Sequence, residues 1–226
     1  MSPVVEVLDG LFFIERGYLS GNHFAFRSPA PVLIDTAYSS GRGETFARLE
    51  ALGVDWRRTR LIVNTHCHCD HVGANRQIQQ ASGCEVAMHG FGRRIIAARD
   101  SWSTWWDYYH QEAEFYDCTR ELEDAEPLAI GPHEFEVIHT PGHSRDGIVL
   151  YHRKEKLLLS ADTLWESDLA VLTTRVEGSG AAGAWAESLE RLSRLDVRLV
   201  YPGHGRPFPG FREALRRSRE RVLRYR

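Results

Sequence analysis

The stretch that most constrains this chain is Asn64-Thr65-His66-Cys67-His68-Cys69-Asp70-His71-Val72-Gly73, which directly follows the apolar run Leu61-Ile62-Val63. Three imidazoles and a carboxylate fall within six positions of a sequence that has only eleven histidines. Imidazole and carboxylate together are the ligand set of Zn²⁺ and related borderline cations. The stretch predicts a loop that holds a metal centre.

The remainder of the chain sets the kind of body that carries this loop. At 226 residues it suits one large domain or two small halves, with enough length to bury a substantial core. Its 42% hydrophobic and 26% charged content is that of an ordinary globular protein. A net charge of −3 predicts no nucleic-acid partner, because phosphate binding needs a clustered basic excess. No basic-then-apolar leader is seen, and no apolar run approaches the ~20 residues of a membrane span. A small-molecule substrate, no membrane and a cytoplasmic location are therefore expected. Cys67, Cys69, Cys84 and Cys118 are too irregularly spaced to suggest a disulfide framework.

Strand-like segments are expected at Val4–Val7 and Leu11–Glu15, joined by Asp9-Gly10, a pair suited to a tight hairpin turn. Further strands are expected at His23–Phe26, Pro31–Ile34, Leu61–Val63, Cys84–Met88, Phe135–Ile138, Ile148–Tyr151, Leu157–Leu159 and Leu199–Tyr201. In Glu44–Leu52, Phe46, Leu49 and Leu52 stand three apart with Gly53 just beyond, which reads as an amphipathic helix and its stop signal. Helices are also expected at Asn75–Ala81, at Phe91–Ala98, through Trp185, Leu189, Leu192 and Leu195, and in the Arg-rich end from about 211 to 225. Both halves mix strands with helices and no linker-like tract divides them, so a layered α/β body is expected.

Four of these strands stop on metal-type ligands. Leu61–Val63 runs into His66–His71, Phe135–Ile138 into Thr140-Pro141-Gly142-His143, Leu157–Leu159 into Ala161-Asp162, and Leu199–Tyr201 into Pro202-Gly203-His204. In layered α/β proteins functional groups gather outside the carboxyl ends of strands, where rigid elements can aim several loops at one point. One shared site is the expectation.

The string His66-x-His68-x-Asp70-His71, followed in order by Thr140-Pro141-Gly142-His143, Ala161-Asp162-Thr163-Leu164 and Pro202-Gly203-His204-Gly205, resembles the metallo-β-lactamase-fold hydrolases over roughly Pro31 to Phe208. The resemblance implies a four-layer αββα sandwich, here a single domain over 1–226 with an aromatic and acidic insert at about 101–126 and a terminal helix. It also implies two divalent metal ions, zinc first with iron or manganese as alternatives. One ion would be held by His66, His68 and His143, the other by Asp70, His71 and His204, with Asp162 bridging. Cations about 3.5–4 Å apart need anionic ligands to moderate their repulsion, and a bridging carboxylate with a bridging hydroxide supplies them; the hydroxide is then the nucleophile. By resemblance Asp70 holds or shuttles the hydroxide proton, which makes it the catalytic residue of the set.

Other residues carry weaker readings. Asp35, which ends a buried strand, either orients a ligand imidazole by a hydrogen bond or caps a turn. In a locally extended segment Cys67 and Cys69 alternate with His66 and His68 and point away from the metals. His23, His89, His110, His133, His139 and His152 read as ordinary structural or surface residues. The segment from Ser101 to Glu126 holds Trp102, Trp105, Trp106, Tyr108, Tyr109, Phe115 and Tyr116 among acids, with Arg120 its only base. These rings form either a lid, in which Trp102, Trp105, Trp106 and Tyr109 contact an apolar or aromatic acyl group together with Trp165, or part of the core. The Arg-rich helix, with Leu215, Val222 and Leu223 as its apolar stripe, has a solvated basic face that could pair with the acidic 112–126 stretch, within one chain or in a homodimer.

Within the resembled superfamily, the chain keeps Asp162 and shows no leader, unlike the exported zinc β-lactamases. The motif set is nearer to the glyoxalase II-like hydrolases of acylglutathione thioesters, which implies thioester or ester hydrolysis. Only one helix is expected after Pro209, so the sequence gives no support for the C-terminal glutathione clamp of that group. An acylhomoserine-type lactonase is the alternative, although such lactonases carry a Tyr where this chain has Trp165. A redox alternative is an iron-dependent persulfide dioxygenase, which uses one iron with two His and one Asp; seven ligand positions favour two metals and hydrolysis.

Overall fold

The structure, a computed structural model, describes residues 3–225. Two compact units divide the chain between Leu122 and Glu123.

The first unit is built on a seven-stranded sheet. Its elements are β1 (Val4–Leu8), β2 (Leu11–Ile14), β3 (His23–Phe26), β4 (Val32–Ile34), α1 (Arg42–Ala51), β5 (Leu61–Val63), α2 (Cys69–Val72), α3 (Asn75–Ser82), β6 (Glu85–His89), α4 (Gly90–Ala97) and β7 (Arg120–Leu122). Strands β1 to β4 form an antiparallel meander, whereas β4, β5, β6 and β7 pair in parallel. The parallel strands are short and wholly apolar where central, as expected of strands buried on both faces. Leu33, Ile62, Val86 and Met88 pack against Leu49 of α1, Ile78 of α3, Ile96 of α4 and Tyr116. Because β4 and β5 run the same way, the chain leaves both at one edge, where Asp35 and the His66–His71 stretch follow.

The second unit carries a five-stranded sheet in the order β12, β11, β10, β9, β8. Its elements are β8 (Pro127–Ile130), β9 (His133–His139), β10 (Ile148–His152), β11 (Leu157–Ala161), α5 (Thr174–Glu177), α6 (Ala181–Leu192), β12 (Leu199–Pro202) and α7 (Phe211–Val222). Strands β9 and β11 are each antiparallel to β10, and β12 is parallel to β11. The carboxyl ends of β9, β11 and β12 therefore share one edge. Ile138, Val149, Tyr151, Leu158 and Val200 meet Trp185, Leu189 and Leu192 of α6 and Phe211, Leu215 and Val222 of α7. Burying an apolar side chain of this size contributes about 1.5–3 kcal/mol. Trp185 adds a hydrogen bond from Nε1 to the Thr163 carbonyl at 2.9 Å, so the indole is satisfied although only 1% exposed.

The mixed α/β class and the expected strands are present. Four short elements differ from the expectation: α2, β7, β8 and α5. Each is three or four residues long, too short to show a period. The aromatic segment contributes β7 at its end, and residues 101–110 are a run of turns. In α7, Leu215 and Val222 are buried as expected, but Leu223 is 43% exposed and leaves the stripe, because the helix ends at Val222. Arg216, Arg217, Arg219 and Arg221 are held by Glu213 and Glu220 of α7, by Glu190 and by Asp168. No helix among the described residues is long and apolar enough to cross a membrane.

Candidate metal centre

The first unit places four donors on one continuous stretch. After β5, Asn64 and Thr65 turn the chain, His66 and His68 follow, and α2 begins at Cys69, so Asp70 and His71 lie on its single turn. Ligand atoms of His66 and His68 lie within 4.8 Å of one another, as do those of Asp70 and His71. The imidazoles are 2%, 0% and 0% exposed at His66, His68 and His71, whereas the Asp70 side chain keeps 13%.

Asp35 organises this stretch. It is the first residue after β4, and its Oδ1 accepts the Thr65 backbone N–H at 2.8 Å while its Oδ2 accepts the Thr65 hydroxyl at 2.7 Å. The same Oδ2 lies 2.9 Å from His71 Nδ1. An ionised carboxylate only accepts, so the His71 proton sits on Nδ1 and the Nε2 lone pair is left for a cation. Thr65 Oγ1, having donated to Asp35, is left to accept from His66 Nδ1 at 3.0 Å. One carboxylate thus sets the metal-binding tautomer of two imidazoles, one directly and one through a hydroxyl.

The backbone holds the loop from the other side. Thr36 donates to the His71 carbonyl at 2.7 Å, and Gly73 to the Ala37 carbonyl at 2.7 Å. A Cβ on Gly21 would lie 2.6–2.9 Å from three atoms of the His71 ring, so the chain approaches that imidazole as only glycine can. Trp105 stacks on His68, with ring centroids 3.8 Å apart and planes 22° from parallel.

Neither Cys67 nor Cys69 belongs to a group of donors able to hold a metal among the described residues, and the extended alternation expected of the stretch ends before Cys69. Cys67 is fully buried in the first unit's core. Cys69 opens α2 instead of continuing the alternation, and its sulfur faces the Gln111 side-chain oxygen. Burial, reinforced by the Asp70 carboxylate, pushes its thiol well above the ordinary range.

The second unit gathers its donors from three strand ends. His143 follows β9, Asp162 follows β11, and His204 follows β12. Asp162 Oδ2 lies 3.5 Å from His143 Nε2 and 3.6 Å from His204 Nε2. His143 Nδ1 is 2.8 Å from the Val171 carbonyl, which can only accept, so its Nε2 also presents a lone pair. The parallel pairing of β11 and β12 shifts at Ala161 and Pro202, and the Gly203 N–H donates to the Ala161 carbonyl at 2.7 Å. A Cβ on residue 203 would fall 2.0 Å from Asp162 Oδ1, so glycine is needed for the carboxylate to sit there. Likewise a Cβ on residue 142 would collide with Trp185, 2.3 Å from its Cβ.

Both units thus carry metal-type donors: His66, His68, Asp70 and His71 in the first, His143, Asp162 and His204 in the second. The donors are borderline-cation ligands, and the tautomers at His71 and His143 suit a cation, so the residues fit a metal of the zinc type. His23, one of the six histidines read as structural, is 1% exposed in β3, and burial holds its imidazole far below the ordinary range, hence neutral.

The aromatic segment holds both buried and exposed rings. Trp105 and Trp106 are each 8% exposed and Tyr116 is 6% exposed, whereas Trp102 and Tyr109 are 44% and 38% exposed. Trp165 donates from Nε1 to Asp162 Oδ1 at 3.3 Å. Thr65, Gly21 and the Val171 carbonyl were not legible as site residues. A glycine or a backbone carbonyl carries no chemical signal, and only the Thr65-His66 dipeptide offered one.

The fold and its donors define a class of α/β proteins able to bind metal. The chain belongs to the metallo-beta-lactamase superfamily, whose model matches residues 30–204, and it is a hydrolase of that superfamily. It is similar to the human acyl-coenzyme A thioesterase MBLAC2, with 30% identity over 88% of this chain and 80% of that protein. It is also similar to a hydroxyacylglutathione hydrolase of Rhodospirillum rubrum, 31% identical over 75% of this chain; there it spans 56% of the relative's length. Among solved structures, a metallo-beta-lactamase family protein of Thermus thermophilus shares the fold with a TM-score of 0.80, at 23% identity over 97% of this chain and 81% of that one.

Proposed function

We propose that this chain is a thioesterase that works with two divalent metal ions and acts on a small acyl thioester. In this reading His66, His68 and His143 would hold one ion, zinc first, and Asp70, His71 and His204 would hold the other. Asp162 would supply a carboxylate to both ions and moderate their repulsion. The observation that carries the reaction is that two differently named relatives, the acyl-coenzyme A thioesterase and the hydroxyacylglutathione hydrolase, both act on thioesters.

Divalent cations, when bound, acidify a water and polarise the acyl oxygen. The chain's own residues do the rest. Asp35 holds His71 directly and His66 through Thr65, and Val171 holds His143, so three imidazoles keep their lone pairs aimed without rearrangement. Asp70, the more exposed carboxylate of its set, accepts the proton that the attacking water gives up. The C–O bond forms as the C–S bond breaks, and the sulfur leaves as a thiolate. Thiols have a pKa near about 8.5, so this leaving group needs no strong general acid. That suits a site in which every imidazole of the two clusters serves as a ligand.

The test is thiol release from acyl-coenzyme A and acylglutathione esters, set beside oxygen ester, lactone and phosphodiester substrates, with metal content measured by elemental analysis. Thioester turnover that vanishes on chelation, returns with zinc, and accompanies two ions per chain is expected. A single iron with oxygen consumption, or lactone turnover well above thioester turnover, would overturn the reading.

A further inference from the structure

The second unit treats the two oxygens of Asp162 differently. Oδ2 faces the imidazoles of His143 and His204. Oδ1 accepts the Trp165 indole N–H at 3.3 Å, and the Gly203 backbone closes its other side. The indole also stands against His204, with centroids 5.1 Å apart and planes at 60°. Tryptophan has one donor and no acceptor. An N–H engaged by Asp162 cannot also bind a substrate carbonyl, and position 165 has no hydroxyl to offer instead.

We propose that Trp165 is a positioning residue for Asp162 and not a substrate contact: its N–H holds Oδ1, so the carboxylate presents Oδ2 alone toward metal, and its ring limits rotation of His204. The inference rests on the metal-centre reading above, but not on the identity of the acyl substrate. The segment that carries Trp165 is itself fixed. The Ser160 hydroxyl donates to the Leu164 carbonyl at 2.7 Å, Trp185 donates to the Thr163 carbonyl at 2.9 Å, and Asp168 pairs with Arg221 of α7 at 2.8 Å. A few residues on, Val171 holds His143 Nδ1. One loop after β11 thereby touches all three donors of the second unit: Asp162 and His204 through Trp165, and His143 through Val171.

The test compares wild type, Trp165→Phe and Trp165→Gln in metal binding without substrate, using zinc competition against a chromophoric chelator and the visible spectrum of the cobalt(II) form. Phe keeps most of the ring and loses the donor; Gln keeps a donor and loses the ring. The expected result is an affinity loss of about 10–100-fold for the weaker zinc equivalent in Trp165→Phe, the range of outer-shell changes at metal sites. It comes with altered cobalt bands, an apo-protein melting temperature close to wild type, and partial recovery of affinity in Trp165→Gln. Wild-type affinity and an unchanged cobalt spectrum in Trp165→Phe would overturn the inference, as would a Gln variant no better than Phe. A wild type that takes up no zinc overturns both this and the functional reading. Because zinc affinity is read without substrate, a wrong substrate class cannot imitate either result.

Discussion

The two donor clusters are built in opposite ways. The first unit draws four donors from six consecutive residues and assigns one buried carboxylate, Asp35, to steady two of its imidazoles. The second unit draws three donors from three strand ends and steadies them with a backbone carbonyl, an indole and a glycine contact. A contiguous cluster gets its spacing from covalent geometry and needs help only with orientation. A dispersed cluster gets its spacing from strand register, so a local shift in register moves the donors themselves.

The largest expected effect is at Asp162, the residue common to the second unit's contacts. Asp162→Ala should reduce turnover by more than the 10–100-fold typical of outer-shell changes, with a fall in zinc per chain by elemental analysis. Asp35→Asn comes next. The amide cannot accept from Thr65 and His71 as the carboxylate does, so zinc affinity should drop about 10–100-fold, read by chelator competition. A loss confined to turnover, with zinc affinity intact, would show that Asp35 only shapes the turn. Gly203→Ala tests the register dependence of the second cluster. The added methyl meets Asp162 Oδ1 and the Ala161 backbone, and overpacking of this kind typically costs about 1–3 kcal/mol; a denaturant midpoint at wild-type level would break the contrast between the clusters.

Cysteine chemistry separates the units more gently. All four cysteines lie in the first unit and none forms a disulfide. Burial pushes the Cys69 and Cys84 thiols up and takes that of Cys118 to about 11. A thiol whose folded pKa is raised stays protonated while the unfolded chain ionises, so the unfolded state binds fewer protons and stability falls as pH rises above about 9. In the second unit Tyr151 and Tyr201 are raised from 10.0 by burial, so their corresponding loss begins higher. Native protein at pH 8 should resist iodoacetamide, and urea midpoints should decline from about pH 9; rapid native labelling of Cys69 would contradict its burial. The smallest effect is expected at Trp102, which is 44% exposed. Trp102→Ala should change stability by no more than about 0.5 kcal/mol, and a raised KM for an acyl thioester would mark it as a substrate contact.

Much of the first cluster was legible because His66, His68, Asp70 and His71 declare their chemistry within one short stretch, and an apolar strand precedes them. In the second cluster His143, Asp162 and His204 are far apart in sequence, so only their places after apolar strands marked them as donors, and their pairing with particular ions came from the resemblance. The central strands were visible as apolar runs. The elements α2, β7, β8 and α5 were not, because three or four residues cannot display a period and are stabilised by partners distant in the chain.

The sequence by itself determined the donor types, their order, and the strands that deliver them, all consequences of covalent spacing and apolar patterning. The tertiary structure alone decided how those donors are aimed. Asp35 reaches His71 across 36 positions, Val171 holds His143 with a carbonyl that every residue possesses, and Trp165 takes one oxygen of Asp162 and leaves the other. It also split one aromatic segment into buried Trp105 and exposed Trp102. The physical reason is the same in each case: hydrogen bonding and burial depend on which groups meet in space, and a local pattern of residues does not record that.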